Sequence, residues 1–253
     1  MSIPIDLGMI EAVALASLRM VAFLVIAPPF SYNGIPAQIK GMLALGLGVA
    51  VAPRVSVGYR MGDTGAFFLD LLRELAVGAT LGFLVFLVFA AIQSAGNLVD
   101  LFGGFQLAQA FDPQAMINGA QFTRLFQMTA LALLFASGGY QLIIGGLVRS
   151  YDAIPLAAGI DMADPAKQMV SGVTQMFLAA VQIAGPLIVV LFLADVGLGL
   201  LTRVAPALNA FSLGFPLKIM LTIVLSAVVF VALPGVVEGL TSTAVKTMLG
   251  VGR

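Results

Sequence analysis

The sequence contains no cysteine, no histidine and no tryptophan, and only 9% of its 253 residues are charged. Without cysteine and histidine the chain has no disulfide bonds, no thiol nucleophile, no histidine acid–base pair and none of the common zinc sites. Its 12 basic and 12 acidic residues balance to a formal net charge of zero. A balance of this kind gives no electrostatic footprint for nucleic acid. We therefore expect no metal site and no nucleic-acid partner.

Hydrophobic residues make up 60% of the chain, and the mean hydropathy is +1.09. An ordinary soluble domain has roughly 25% charged residues, almost three times the fraction found here. The composition therefore predicts an integral membrane protein.

Charge-poor runs mark the candidate membrane segments. A helix needs about 20 apolar residues to cross the hydrocarbon core. The candidates are 12–30, 41–53, 75–92, 125–148, 168–194 and 219–237. Segment 41–53 is too short to cross upright. Gly78-x-x-x-Gly82 in the third run predicts a small-residue face for close helix contact.

Helix breakers are dense in these runs, since the chain has 28 glycines and 12 prolines. We expect Gly185-Pro186 to interrupt one segment and Pro234-Gly235 to end another. Broken backbone at membrane depth is tolerated only where protein or a water-filled cavity satisfies the freed polar groups. The sequence thus predicts an all-α polytopic membrane protein with broken helices, much of whose apolar surface meets other protein instead of lipid. Such a chain is a subunit of an assembly.

The stretch 94–124 is unlike the apolar runs on either side of it. Its charges are Asp100, Asp112 and Arg124, and it also holds Gly103-Gly104, Gln106, Gln109, Gln114 and the turn signal Asp112-Pro113. It is too polar to face lipid and too apolar to sit loosely in water. One interpretation is a loop held inside an assembly, where it lines or plugs a passage. The alternative is an amphipathic surface helix that follows a glycine hinge.

Charges near membrane depth cost roughly 2.5–3.5 kcal/mol each on insertion scales, so they normally find partners or line cavities. Candidates for intramembrane or inter-subunit polar contacts are Glu74, Asp100, Arg149, Asp195, Arg203, Asn209 and Lys218. An intramembrane aspartate serves either as a proton relay or as one half of an ion pair that locks helices together. Asp195 and Arg203 are eight residues apart and share roughly one helical face, which favours the structural role.

Signals for nucleotide chemistry are missing. The pattern Gly197-x-Gly199 lacks the third glycine of a dinucleotide turn, and the chain has no Walker A pattern. No potassium-type filter sequence is present either. We therefore expect no cofactor and no built-in ATPase.

Taken in order, short motifs along nearly the whole chain resemble those of the FliR family of flagellar export proteins, whose virulence relatives include injectisome proteins of the SpaR type. The motifs are Arg19 with Pro28, Gly34-Ile35-Pro36, Lys40, Arg73-Glu74 with Gly78 and Gly82, Ala95-Gly96, Asp100, Gly103-Gly104, Asp112-Pro113, Gly138-Gly139-Tyr140, Ser150, Pro155, the run 205–211 and the run 214–218. Two positions depart from the family pattern. Relatives often carry histidine where this chain has Tyr140, and glutamine or another polar residue where it has Ala207.

The resemblance implies helical hairpins, with a FliP-like part over approximately 1–165 followed by a FliQ-like part over 166–253. It implies assembly with FliP-like and FliQ-like membrane subunits into a closed export gate, with an FlhB-like subunit attached. The gate lies in the lipid of the bacterial inner membrane, within the flagellar basal body, and passes unfolded flagellar export substrates. The family is not enzymatic, so the resemblance implies no catalytic residue.

The resemblance also implies a plug loop from Phe105 to Phe122. Its residues are Phe105, Gln106, Gln109, Phe111, Asp112, Pro113 and Met116. Phe111 and Met116 would help to close the pore, while Gln106 and Gln109 would wet its wall. Two alternatives stay open. One is the export subunit of a virulence injectisome. The other is a proton-coupled secondary transporter, although the chain shows no convincing internal repeat of the kind common in such folds.

Overall fold

The computed structural model describes residues 7–32, 34–57, 59, 62–106, 121–158, 163–205 and 210–250. Within these ranges the secondary structure is helical and contains no strand. The helices are α1 (Leu7–Ile26), α2 (Ala37–Val55), α3 (Thr64–Phe102), α4 (Gln121–Ala136), α5 (Gly139–Ala153), α6 (Ala163–Val204) and α7 (Ala210–Gly250). The prediction of an all-α polytopic membrane protein is confirmed.

Four of the described helices, α1, α3, α6 and α7, are long and apolar enough to cross a membrane. Helices α4 and α5 form a bent pair that counts as a fifth candidate. Helix α2, which contains the predicted segment 41–53, has 19 residues and is not among the candidates. Lys40 and Arg54 near its two ends lower its hydropathy.

Helix α3 is longer than the sequence indicated. It begins after Asp63, whose carboxylate accepts a hydrogen bond from the Ala66 backbone N–H at 2.7 Å, as an N-cap does. It then continues for 39 residues to Phe102. Residues 94–102, which we predicted to belong to a loop, are therefore helical. Gly96 does not interrupt the helix, which ends just before the Gly103-Gly104 pair.

The proline signals gave wrong helix ends. Helix α6 runs unbroken through Pro186, and α7 runs through Pro216 and Pro234 to Gly250. In an apolar setting, leaving the helix would expose many backbone groups, whereas a proline removes only one donor. The break between α4 and α5 falls at Gly138-Gly139, where Gly138 has a φ of +71°.

The chain forms two compact units, the first comprising Met1–Val88, Gly138–Val173 and Leu240–Arg253. In it, α3 packs on α1 through the predicted small-residue face. A Cβ added to Gly78 would lie 2.2 Å from the Arg19 carbonyl oxygen, and one added to Gly82 would lie 3.0 Å from the Phe23 carbonyl oxygen. The Gly78-x-x-x-Gly82 prediction is confirmed, because only glycine permits this approach of the two backbones.

The second unit comprises Phe89–Ser137 and Thr174–Gly239. Its interior contains fully buried Phe126 and Leu134 of α4 and Leu187 of α6. The Phe126 ring meets Phe230 of α7 edge to face at 5.3 Å between centroids. Aromatic pairs of this geometry add to the stabilisation that area burial already gives.

Candidate functional site

The second unit holds the two ends of segment 107–120 in one cluster of contacts. We call this cluster the loop anchor and define it as Gly96, Asp100, Gly103, Gly104, Phe105, Phe122 and Thr123. Segment 107–120 itself lies outside the described residues.

The N-terminal side of the loop anchor is the turn that ends α3. The Gly103 N–H donates to the Val99 carbonyl at 2.8 Å, and the Phe105 N–H donates to the Asp100 carbonyl at 3.0 Å. Gly104 has a φ of +82°, in the left-handed region that favours glycine at helix ends. The double glycine therefore turns the chain sharply and brings Phe105 back over the last turn of α3.

The same turn is seated against α7. A Cβ on Gly103 would lie 2.7 Å from the Thr222 hydroxyl oxygen, and a Cβ on Gly104 would lie 3.3 Å from the Phe215 ring. The Thr222 hydroxyl donates to the Lys218 carbonyl at 2.7 Å, so its position is set by the helix backbone. A side chain at position 103 would therefore clash with α7, so the packing requires glycine there in addition to the turn.

The C-terminal side of the loop anchor is the first turn of α4. The Asp100 carboxylate accepts hydrogen bonds from the Phe122 N–H at 2.9 Å, the Thr123 N–H at 2.9 Å and the Thr123 hydroxyl at 2.8 Å. Asp100 is fully buried. The free N–H groups and positive dipole end of a helix N-terminus compensate the burial of such a carboxylate.

Three further contacts close the loop anchor. The Phe105 and Phe122 rings meet edge to face at 5.2 Å between centroids. The Gln106 side-chain amide donates to Asn97 Oδ1 at 2.9 Å. Gly96 lets α3 approach α4 closely, because a Cβ there would lie 2.6 Å from Thr123 Cα. Residues 105 and 122, the two ends of the predicted plug loop, are therefore in contact.

Of the predicted plug residues, Phe105 and Gln106 lie in or beside the loop anchor. The others, Gln109, Phe111, Asp112, Pro113 and Met116, lie outside the described residues. Their predicted roles in the pore stay predictions.

The first unit contains a separate buried ion cluster, formed by Arg19, Glu74, Ser150, Tyr151 and Ile154. Arg19 binds Glu74 in a bidentate pair, with Nε to Oε2 at 2.5 Å and Nη2 to Oε1 at 3.0 Å. Arg19 Nη1 donates to the Ser150 hydroxyl at 3.3 Å and to the Ile154 carbonyl at 3.0 Å. The Tyr151 ring lies 4.1 Å from Arg19 Cζ, a cation–π contact.

This cluster joins three helices. Arg19 belongs to α1, Glu74 to α3, and Ser150 and Tyr151 to α5, while the Tyr151 hydroxyl donates to the Ala16 carbonyl at 2.9 Å. Arg19 and Glu74 are 0% and 2% exposed, so the pair has no access to bulk water. Sequence reasoning identified Glu74 and missed Arg19, Ser150 and Tyr151 as site residues. The signal for Arg19 was its position as the lone charge in the apolar run 12–30.

The other predicted polar residues take separate places. Asp195 of α6 forms an ion pair with Lys218 of α7 at 2.7 Å. Its partner therefore lies on the next helix, and it is not Arg203, which lies on α6 with Asp195. Arg149 and Arg203 are exposed, and Asn209 lies outside the described residues. Among the described residues, acidic side chains form no group of three or more that could hold a metal ion.

Comparison with known proteins agrees with the motif pattern. The model of the family described as bacterial export proteins, family 1, matches residues 10–244. The flagellar biosynthetic protein FliR of Bacillus subtilis is 27% identical over 249 residues, which cover 96% of this chain and 95% of that protein. FliR of Escherichia coli is 30% identical over 214 residues, covering 83% and 80%.

A protein with a different name is also similar to this chain. The surface presentation of antigens protein SpaR of Shigella flexneri is 28% identical over 198 residues, covering 77% of this chain and 76% of that protein. Taken with the apolar helices and the family match over nearly the whole sequence, these similarities show that the chain belongs to the FliR family of type III export proteins, family 1 of the bacterial export proteins.

Proposed function

We propose that this chain is a subunit of the flagellar type III export gate in the bacterial inner membrane, at the basal body. In this role it closes a helical assembly of FliP-like and FliQ-like subunits, next to an FlhB-like subunit, and acts without catalysis. Its loop from Phe105 to Phe122 plugs the pore through which unfolded substrates pass. The single observation that carries the proposal is the loop anchor.

The loop anchor has the properties that a plug requires at its base. A plug must block a passage while its ends stay attached to a rigid wall. Here both ends meet at one buried residue, since the Asp100 backbone carbonyl binds Phe105 and the Asp100 carboxylate binds Phe122 and Thr123. Each end continues into a long or well-packed helix, α3 or α4. The composition of the loop also suits this role, because Phe111 and Met116 provide bulk while the glutamines tolerate water.

The exposed face of α6 supports assembly with other subunits. In an apolar stretch of 18 residues within α6 only 22% of the residues are buried, whereas 67% are buried in the corresponding stretch of α3. Large exposed apolar side chains follow α6 through the second unit: Phe177, Leu178, Val181, Val189, Val190, Phe192, Leu193, Val196, Leu200, Leu201 and Val204. Much of this helix therefore needs a covering that the described residues do not supply.

Lipid alone does not suit this face. At 1.5 Å per residue, the distance along α6 from Phe177 to Val204 is about 40 Å. The hydrocarbon core is about 30 Å thick, and even at the average tilt of about 20° the stripe projects to about 38 Å. Asp195, whose side chain is 46% exposed, lies within the same stripe. Helices of partner subunits would cover both the excess length and the charge.

Removing the plug tests the proposal. The chain is co-expressed with its FliP-like and FliQ-like partners, and residues 107–116 are replaced by a glycine–serine linker of equal length, so that the loop anchor is kept. We expect the purified complex, reconstituted in liposomes, to pass small ions and dyes that the native complex retains. A second variant lacking Gln106–Met116 should leak as well.

Recovery of the complex is the control, because assembly depends on helices and not on the loop. An assembled linker variant with native permeability would contradict the plug role.

A virulence injectisome is the second candidate system. The relatives named SpaR and Yop proteins translocation protein T support it, the latter being 32% identical over 162 residues in Yersinia pestis. Restored motility after expression in a flagellated strain that lacks its own FliR would favour the flagellar system.

The contacts of Asp100 and Asp195 favour an export gate over a proton-coupled transporter, while Asp112, the third candidate for a proton relay, lies outside the described residues. The three described donors around Asp100 are backbone or hydroxyl groups of the loop anchor, and Asp195 forms an ion pair with Lys218. Both carboxylates therefore have structural partners in the described residues.

A further inference from the structure

We propose that Asp100 is the positioning residue of the plug, holding the two ends of the loop by two different groups of the same residue. This inference rests on the proposed plug function and deepens it. The Asp100 carbonyl accepts from Phe105 at the start of the loop, and the Asp100 carboxylate accepts from Phe122 and Thr123 at its end. The side chain therefore controls only where the loop ends.

Three donors converge on two carboxylate oxygens at this point, and every described donor comes from the first turn of α4. An asparagine has one acceptor oxygen and a donating amide in the same space, so it can satisfy one of the two backbone N–H groups and opposes the other. The buried second N–H then lacks a partner, which favours a shift of the α4 end. The first end of the loop keeps its bond to the backbone carbonyl in such a variant.

A substitution at Gly96 should shift the α4 end in the same way while the Asp100 carboxylate stays in place. Its absent Cβ would lie 2.6 Å from Thr123 Cα and 2.8 Å from the Phe122 carbonyl oxygen, both backbone atoms. A methyl group there must push the first turn of α4 away from Asp100, because real Cβ atoms do not approach backbone this closely. Gly96→Ala and Asp100→Asn should therefore share one phenotype through different causes.

The absence of cysteine from the chain permits a covalent test. Asp100→Cys and Thr123→Cys together place the chain's only two thiols where the carboxylate and the Thr123 hydroxyl now meet at 2.8 Å. A disulfide, or a dibromobimane bridge between the two thiols, restores the attachment without restoring a carboxylate. A positioning role survives this exchange, whereas a proton-carrying role does not.

The experiment measures ion and dye leak of the assembled complex in liposomes. We expect Asp100→Asn and Gly96→Ala to raise the leak by about five- to thirty-fold, the factor by which loss of one helix cap shifts a two-state population. We expect the double-cysteine variant to be tight when bridged and to leak after reduction. Asp152→Asn, which removes an exposed carboxylate 2.9 Å from Arg54, is the matched control and should leave the leak unchanged.

The bridge is formed before purification and reduced afterwards, so the result does not depend on whether the asparagine variant assembles. A leak that persists in the bridged complex would overturn the positioning role, and so would native tightness after reduction. If the glycine–serine linker variant leaks while Asp100→Asn and the reduced pair stay tight, the positioning inference alone is wrong. If the linker variant itself is tight, the plug function is wrong.

Discussion

At the scale of residues, Arg19 and Glu74 show how a charge is accommodated in an apolar helix packing. The guanidinium is planar and matches the carboxylate with two parallel hydrogen bonds, while its remaining donors reach Ser150 and the Ile154 carbonyl. A lysine has no fork of this shape and would leave part of the cluster unmatched. The cluster therefore specifies arginine at position 19.

Removing one partner of the Arg19–Glu74 pair should destabilise the protein more than removing both. We expect Arg19→Met to destabilise the protein by about 3–5 kcal/mol, because Glu74 is then a buried charge without a cation. The double variant Arg19→Met with Glu74→Leu should recover much of that loss, since no uncompensated charge is left. The temperature at which the detergent-solubilised protein loses its monodisperse peak in size-exclusion chromatography measures the difference.

The exposed pair Arg54–Asp152 provides the control for that prediction. Its side chains are 60% and 51% exposed, so Arg54→Met should change the stability by less than about 1 kcal/mol. A double variant at Arg19 and Glu74 that is as unstable as the single variant would contradict the buried-charge explanation.

The sequence showed which residues bear charge in apolar surroundings, but it did not show their partners. Arg19 and Glu74 are 55 residues apart, and Arg19 and Ser150 are 131 apart. Asp100 caps a helix that starts 21 residues later, whereas a usual N-cap residue directly precedes its helix. Such pairings depend on how helices pack, and local patterns carry no information about packing at that distance.

At the scale of elements, the close contact of α1 and α3 depends on glycine. Gly78 faces the Arg19 backbone, so the helix contact and the ion cluster share the same place on α1. A side chain at position 78 would separate the helices and stretch the Arg19–Glu74 bonds together. The small-residue face is thus a condition for the ion cluster.

A single methyl group tests this dependence. Gly78→Ala should lower the stability by about 1–3 kcal/mol, the usual cost of overpacking, because its Cβ meets the Arg19 carbonyl oxygen at 2.2 Å. Gly145→Ala on α5 is the matched control, because nothing lies within 4 Å of a Cβ there. The control should be neutral or more stable by about 0.5–1 kcal/mol, since alanine favours a helix. Equal stability of the two variants would argue against the glycine contact.

Helix ends were predicted unevenly from the sequence. The glycine pairs at 103–104 and 138–139 do mark ends, because the left-handed φ of Gly104 and of Gly138 requires a residue without a Cβ. The prolines at 186 and 234 do not mark ends, because the loss of one backbone bond is small beside the benefit of a continuous apolar helix. Proline was therefore the weaker boundary signal in this chain.

At the scale of the whole molecule, composition alone identified an integral membrane protein. The motif order indicated the FliR family, and the family match over residues 10–244 confirms it. The division into a FliP-like part over 1–165 and a FliQ-like part over 166–253 stays a prediction. The identity of the partner subunits also stays a prediction. The exposed apolar side chains of α6 indicate that another molecule covers this helix, but they do not identify that molecule.

Native mass spectrometry of this chain, co-expressed with its FliP-like and FliQ-like membrane partners and extracted in mild detergent, determines whether it is an export-gate subunit. We expect a hetero-oligomer that contains one copy of this chain and several copies of each partner. A stable monomer or homodimer that retains no partner would contradict the export-gate assembly.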